Sequence, residues 1–111
     1  MKFSPSVVRG SSRQGVIRDI TEQEIEQIFG FRSNVDDDPH KVVHSWAVDV
    51  SEVPGMFTDD TWPIHVWDYK GSHEFGQFSV CGDPSILEMV FGDRYEDESG
   101  EYPRWQRDCY N

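Results

Sequence analysis

The chain has 111 residues, of which 36% are hydrophobic and 14% aromatic, and its 21 acidic and 10 basic side chains give a formal net charge of −11. This length suits one domain that can bury a core without disulfides or metals, and the aromatic share excludes disorder of the whole chain. The negative charge disfavours direct binding to nucleic acid or to membrane phosphates and favours basic protein partners.

The cysteine count and the apolar runs predict a cytoplasmic protein. Cys81 and Cys109 are too few for a disulfide framework, and Cys81 is predicted to be a small buried residue in a strand. No apolar segment follows Lys2 as it would in a signal peptide, and no run approaches the ~20 apolar residues of a membrane span.

The first twenty residues differ in charge from the rest. They hold four basic side chains against Asp19, which leaves a net charge of −14 for residues 21–111. Residues 1–13 are predicted to be an irregular basic arm, because serine, proline, glycine and arginine are scattered through them without periodicity. Val16 and Ile17 predict a short edge strand.

A first helix is predicted over residues 22–30. Thr21 and Glu24 have the spacing of a capping box, and Gly30 supplies the left-handed residue that ends many helices. The helix carries an apolar stripe that predicts packing against a core. The stripe consists of Ile25, Ile28 and Phe29.

Three strands are predicted next. Residues 42–50 alternate, and their valines and Trp46 are predicted to face the core. Residues 62–69 carry bulky side chains on both faces, which predicts cover on both sides of that strand. Residues 75–81 are predicted to pair with it as a hairpin, which gives a three-stranded antiparallel meander.

A second helix completes the predicted domain. Asp83 is its predicted cap, Pro84 stands at its first position and Gly92 ends it. Two helices and a sheet with one apolar face predict a single two-layer α+β domain over residues 1–111. Its expected core comprises Ile25, Ile28, Phe29, Trp46, Val48, Val66, Phe78, Leu87 and Phe91.

Signals for metal binding or catalysis are weak. His40, His44, His65 and His73 lack the ligand spacing of a zinc site, although His44 and His65 could be cross-strand neighbours. Cys81 could approach His65 or His73 across the hairpin, but no nucleophile signature flanks it. We therefore expect no metal, no cofactor and no enzymatic activity.

Acidic loops form the candidate partner surface. A row of carboxylates can imitate nucleic-acid phosphates, and the same charges can steer association with a basic protein. Apolar anchors are also needed, because exposed ion pairs contribute only ~0.2–1 kcal/mol each. The candidate acidic residues and anchors are Asp36, Asp37, Asp38, Met56, Phe57, Asp59, Asp60, Glu96, Asp97, Glu98, Tyr102 and Trp105.

A different class of function is also open from the sequence. Trp46, Trp67 and Tyr69 could form the aromatic pocket of a small-ligand or nucleotide-binding module. Salt-dependent partner binding would favour the interaction protein, whereas stabilisation by a small ligand would favour the binding module. Either protein is expected to be a monomer or a homodimer.

Several short motifs carry a resemblance. The residues WDYKG at 67–71, FSV at 78–80 and a proline-started helix that ends in FGD at Asp93 resemble small accessory proteins of bacteriophages. The helix with EIEQIFG at 24–30 resembles the acidic helix of the phage uracil-DNA-glycosylase inhibitor, a DNA mimic, although no residue roles carry over. The resemblance covers about residues 62–93. It implies a viral, non-enzymatic inhibitor of a host or defence protein, which would act in the host cytoplasm. The acidic charge predicts that this partner is a basic protein that handles nucleic acid.

Overall fold

The computed structural model describes residues 1–7, 13–34, 42–55, 60–69 and 72–98. Two short 3₁₀ turns, Ser72–Phe75 and Gly92–Arg94, accompany the regular elements. The helices are α1 (Glu22–Phe29) and α2 (Pro84–Phe91). The strands are β1 (Lys2–Pro5), β2 (Gly15–Ile17), β3 (Val42–Ser51), β4 (Trp62–Tyr69), β5 (Phe78–Gly82) and β6 (Tyr95–Asp97).

The six strands form one antiparallel sheet in the order β1-β3-β4-β5-β2-β6. The predicted meander of β3, β4 and β5 is confirmed, and so is the α+β class of the fold. The prediction that Val16 and Ile17 belong to an edge strand is wrong. β2 pairs with β5 on one side and with β6 on the other, and its three residues are fully buried.

Local capping signals fix both helices. The Thr21 hydroxyl accepts from the Glu24 backbone N–H at 3.2 Å, and Gly30 has a φ of 86° while its N–H donates to the Glu26 carbonyl. The Asp83 carboxylate accepts from the Ser85 N–H at 2.8 Å. These bonds satisfy backbone groups that a helix end leaves unpaired, which is why the predicted positions are confirmed.

Both helices pack on one face of the sheet, which we call the first face. Their apolar stripes join the strand side chains of that face in one cluster. The predicted core is confirmed, with Ile28 only partly buried at the margin of the cluster. Its buried members are Ile17, Ile20, Ile25, Phe29, Trp46, Val48, Val50, Val53, Ile64, Val66, Phe78, Val80, Ile86, Leu87 and Phe91.

The start of the chain is not irregular throughout. Lys2–Pro5 forms β1, which pairs with the second half of β3 because that edge would otherwise leave its backbone groups unpaired. Pro5 is tolerated there because β1 is an edge strand. Beyond β1, the Asn34 side chain bonds to the backbone of β3 at the same edge. It accepts from the Ala47 N–H at 2.9 Å and donates to the Ala47 carbonyl at 3.1 Å.

The opposite face of the sheet, which we call the second face, is buried as well. The register places β3, β4, β5 and β2 side chains there, each exposed by 9% or less. The prediction that β4 is covered on both sides is thus confirmed. The buried side chains of this face are Val16, Ser45, Ala47, His65, Trp67, Ser79 and Cys81.

Candidate functional site

Acidic side chains gather at one end of the sheet. Because neighbouring strands are antiparallel, β3, β5 and β6 end there while β4 and β2 begin there. The carboxylates attached to these strand ends belong to Glu52, Asp60, Asp83, Asp97 and Glu98. We call this group the acidic end.

The acidic end has a charge density that can be compared with a nucleic acid. Four of its side chains are exposed, and Asp83 is half-buried as the cap of α2. Neighbouring strands lie ~4.8 Å apart, so the distance from β3 to β6 is about 19 Å. Arg13 pairs with Glu98, so the other four acidic side chains fall one per ~5 Å, which is sparser than the 3.4 Å per phosphate of one DNA strand and much sparser than the 1.7 Å of the duplex.

The arginines of the described residues are each matched by a carboxylate. Arg13 and Arg18 belong to the basic first part of the chain. They form ion pairs with Glu98 and Glu96 at the edge strand β6, so the charges of these two carboxylates are already paired. These surface pairs are screened by water and salt and contribute little to stability. The N···O distances are 2.8 Å for Arg13–Glu98, 2.9 Å for Arg18–Glu96, 3.5 Å for Arg32–Glu26 and 2.7 Å for Arg94–Glu24.

The predicted partner-binding residues divide into two sets. Asp60, Glu96, Asp97 and Glu98 are described, and all four are exposed. Glu96 and Asp97 were predicted in a loop but belong to β6, because they pair with Val16 and Gly15. The residues outside the described ranges are Asp36, Asp37, Asp38, Met56, Phe57, Asp59, Tyr102 and Trp105.

The register places the starts of β3 and β4 at opposite ends of the sheet. β3 starts at Val42 opposite Tyr69, whereas β4 starts at Trp62 opposite Val50. The strand starts that follow residues 36–38 and residues 59–60 therefore lie at opposite ends of the sheet. Only the second of these strand starts belongs to the acidic end.

A hydroxyl–imidazole pair lies on the second face. Ser45 Oγ is 2.7 Å from His65 Nε2, and the His65 ring centroid is 4.5 Å from that of Trp67. Such a pair is the geometry of an activated nucleophile. Ser45 is only 1% exposed and His65 only 5%, so a substrate has no access to either group. We therefore interpret the pair as a buried hydrogen bond that satisfies two polar side chains.

Cys81 lies beside His65, as the hairpin predicted. The two residues are direct register partners, and Cys81 is 2% exposed. The prediction that Cys81 is a small buried residue in a strand is confirmed, and its sulfur is in a disulfide rather than a free thiol that could act as a nucleophile. The only other cysteine of the sequence is Cys109, outside the described residues.

The possible histidine pair does not form. A β-bulge lies between Val42 and Ser45, and the Asp68 carboxylate accepts from the His44 backbone N–H at 2.6 Å. The His44 ring points to the first face, where its Nε2 is 2.7 Å from Glu22 Oε2, whereas His65 points to the second face. In the described part of the chain, no three histidine, cysteine or acidic side chains form a metal-ligand cluster.

The predicted aromatic pocket is contradicted by the same register. Trp46 opposes Val66 and is buried in the core of the first face, where its Nε1 donates to the Phe31 carbonyl at 3.1 Å. Trp67 opposes Ser45 and faces the other way. Because successive side chains of a strand alternate between faces, the two rings cannot line one cavity.

An exposed aromatic side chain was missed from the sequence. Phe75 was predicted in the strand that became β5, but it ends the 3₁₀ turn Ser72–Phe75 and is 84% exposed. The sequence around Phe75 is compatible with a strand start and with a turn. Apolar alternation alone does not distinguish the two. Phe75 is thus a further candidate anchor for a protein partner.

Comparisons with protein-family models, with curated proteins and with solved structures found no match to this chain. Among the described residues, no helix has the length and hydropathy needed to cross a membrane.

Proposed function

We propose that this chain is a small, non-enzymatic interaction protein that binds a basic surface of a partner protein. The observation that carries the proposal is the acidic end, where side chains from four strands converge within about 19 Å. The formal net charge of −11 adds a long-range attraction for a basic partner. Such complementarity acts mainly on association rate and on specificity.

The alternatives from the sequence have less support. The aromatic pocket of a ligand-binding module is divided between two faces of the sheet. The hydroxyl–imidazole pair that could serve catalysis is buried. The acidic end needs neither a pocket nor a reactive group, only a partner with clustered lysines or arginines.

Affinity requires an apolar anchor beside the charges, because screened ion pairs add little. Met56 and Phe57 precede Asp60 closely in sequence and remain the predicted anchors of the acidic end. Phe75 is the candidate anchor among the described residues, on the turn at the other end of β4.

We further propose that the partner is a nucleic-acid-handling host protein and that the acidic end competes with its nucleic acid. The spacing of about 5 Å per charge is nearer to that of a single strand than to that of a duplex and supports mimicry of a single strand. The resemblance to phage accessory proteins, which implies a viral inhibitor of a host or defence protein, is the second support. Direct binding of nucleic acid or membrane is not expected from so acidic a surface.

Affinity capture from a bacterial lysate, with two charge variants, tests the proposal. The first variant combines Glu52→Gln, Asp60→Asn and Asp97→Asn at the acidic end. The matched control combines Glu74→Gln, Glu88→Gln and Asp93→Asn, exposed acids elsewhere. Both lose three negative charges, so only placement differs. Partners that the control retains and the first variant loses support the proposal; equal capture by wild type and both variants contradicts it.

Competition identifies the type of partner surface. Single-stranded and duplex oligonucleotides of equal charge are added to the captured complex at constant ionic strength. Displacement by the single strand at lower concentration supports mimicry of a nucleic-acid strand. Displacement by neither oligonucleotide leaves a basic protein surface without a nucleic-acid site as the partner, and contradicts the mimicry.

A further inference from the structure

The outer edge of β1 is open. β1 is the first strand in the sheet order, and its only neighbour among the described strands is β3. The Ser6 N–H donates to the Ala47 carbonyl at 2.9 Å. Because bonding to one neighbour alternates along an antiparallel pair, the even-numbered residues of β1 bond to β3. The Phe3 N–H and the carbonyls of Phe3 and Pro5 therefore face away from the sheet.

One side of this edge is also apolar. The odd-numbered residues from Met1 to Val7 are all apolar, whereas the even-numbered ones between them are lysine and serine. Phe3 lies on the first face, where its ring centroid is 5.4 Å from that of Phe29. Pro5 is exposed, Met1 is 42% exposed and Val7 is 74% exposed. The edge thus continues the margin of the core outward as a row of exposed apolar side chains.

Open backbone groups beside an apolar row are a template for a further strand. Pro5 limits which strand fits, because it offers a carbonyl but no N–H. Within β1, Phe3 is the residue whose donor and acceptor both face outward. A strand that satisfies this edge must therefore present an acceptor and a donor opposite Phe3.

We propose that two copies of this chain associate through β1, in an antiparallel pair centred on Phe3. A two-fold axis at this position places the two Phe3 residues opposite each other, and each N–H donates to the carbonyl of the other. The two six-stranded sheets then join edge to edge, with their first faces on the same side. The inference is independent of the proposed function, because it uses no residue of the acidic end.

Pro5 selects this register. With the axis at Phe3, Pro5 lies opposite Met1 at the margin of the pair, where a carbonyl that lacks a partner can bond to water. With the axis one residue further, at Ser4, Phe3 would lie opposite Pro5 and its carbonyl would meet no N–H. An enclosed carbonyl without a partner costs free energy, so the axis at Phe3 is favoured.

The charge distribution also fits this pair. β1 lies in the part of the chain that holds four basic side chains against one acidic one, so the two copies meet where each is least negative. Lys2, which has no ion-pair partner among the described residues, then faces Ser4 of the second copy, whose neighbour on β3 is Asp49. Because the pair is antiparallel, the acidic ends of the two copies point in opposite directions.

Sedimentation equilibrium of the full chain, without a tag before Met1, tests the association. We expect a monomer–dimer equilibrium that tightens as ionic strength rises, because two copies with a net charge of −11 repel each other. Binding of a basic partner at the acidic end should instead weaken with salt, so the two proposals can fail separately. A monomer at all concentrations up to about 1 mM in high salt would overturn the pairing.

Matched variants locate the contact. Val7→Glu and Met89→Glu each place one negative charge on an exposed apolar position, but only Val7 lies beside β1. We expect Val7→Glu to raise the dimer dissociation constant several-fold and Met89→Glu to change it little. Pro5→Val adds the missing N–H opposite Met1 and should lower the constant. Equal constants for the two glutamate variants, or a weaker Pro5→Val dimer, would contradict the proposal.

Hydrogen exchange at single amides identifies the paired edge. The Phe3 N–H is open to solvent in the monomer and bonded in the proposed dimer, whereas the Ser4 N–H faces β3 in both. Exchange at Phe3 should therefore slow at concentrations that form the dimer, while exchange at Ser4 stays the same. A dimer that leaves Phe3 exchange unchanged uses another surface and overturns the proposal. Phe3 protection that arises only when a captured partner binds the monomer would assign the edge to that partner and likewise overturn it.

Discussion

Arg94 joins the start of α1 to the 3₁₀ turn that follows α2. Its Nη1 donates to Glu24 Oε2 at 2.7 Å, and this hydrogen bond holds the pKa of Glu24 below its ordinary value of 4.5. The charge of Arg94 and hydrogen bonds from Thr21 lower the pKa further, whereas burial opposes them. A carboxyl pKa that is lower in the folded than in the unfolded chain stabilises the fold at pH values above the unfolded pKa. This stabilisation is lost as the pH falls through the folded pKa.

Substitution of Arg94 should reverse that shift. In Arg94→Gln we expect the Glu24 pKa to rise towards 4.5, as measured by an NMR titration of its carboxyl carbon. The stability difference between wild type and variant should shrink as pH falls through the folded pKa of Glu24. Identical Glu24 titration curves in the two proteins would show that the ion pair does not form in solution.

Leu87 tests the assignment of α2 at a single position. Its side chain is fully buried, so Leu87→Ala should lower the free energy of unfolding by about 2–5 kcal/mol through lost transfer energy and a residual cavity. Met89 lies on the exposed side of the same helix, and Met89→Ala is the control, with an expected change within ~0.5 kcal/mol. Urea unfolding measures both; equal effects would contradict the orientation of the helix.

Gly15 determines whether β6 can pair with β2. A Cβ atom at this position would lie 2.4 Å from the Glu96 carbonyl oxygen, a backbone atom that cannot move without breaking the pairing. Gly15→Ala should therefore release β6, with faster hydrogen exchange at residues 95–97 and a loss of about 1–3 kcal/mol.

Gly55→Ala is the control for this element. Its φ is 84° and a Cβ there would meet nothing within 4 Å, so it introduces backbone strain without touching the sheet. We expect it to leave hydrogen exchange in β6 as in wild type. Equal exchange in β6 for wild type and both variants would mean that β6 is not held by β2.

Elements with local signals were predictable, and elements made by distant pairing were not. Thr21, Gly30 and Asp83 cap helices through bonds to neighbours in sequence, so their roles follow from spacing alone. β1 and β6 have four and three residues, too few for periodicity to distinguish them from loops, and β2 was predicted as a strand but not in its position between β5 and β6. They exist because partners far away in sequence offer unpaired backbone groups.

The candidate site was predictable only in part, because it also depends on pairing between strands that are distant in sequence. The acidic residues are visible in the sequence, but their convergence depends on the sheet order, which places β2 and β6 beyond β5. The opposite orientation of Trp46 and Trp67 depends on register and on a bulge. A pocket deduced from shared aromatic character alone was therefore wrong.

At the scale of the whole molecule, stability should not depend on a metal ion. The prediction rests on the absence of zinc-ligand spacing among the histidines of the sequence. Dialysis against EDTA should leave Tm unchanged, and elemental analysis of the purified protein should find no stoichiometric zinc. A fall in Tm that added zinc reverses would contradict this.

The disulfide at Cys81 bears on the compartment in which the protein acts. Disulfides persist in oxidising environments and are uncommon in a reducing cytoplasm. The cytoplasmic localisation therefore stays a prediction. A protein that acts in the cytoplasm would meet reductants able to reduce the disulfide at Cys81.

The proposed function depends on where the negative charges lie, beyond their total. With the captured partner immobilised, the association rate constant is measured between low and physiological ionic strength for wild type, for the acidic-end variant and for the matched control variant. We expect the acidic-end variant to associate more slowly at low salt, with a flatter salt dependence, and the control to stay closer to wild type. Indistinguishable rates for the two variants would contradict a role for the acidic end.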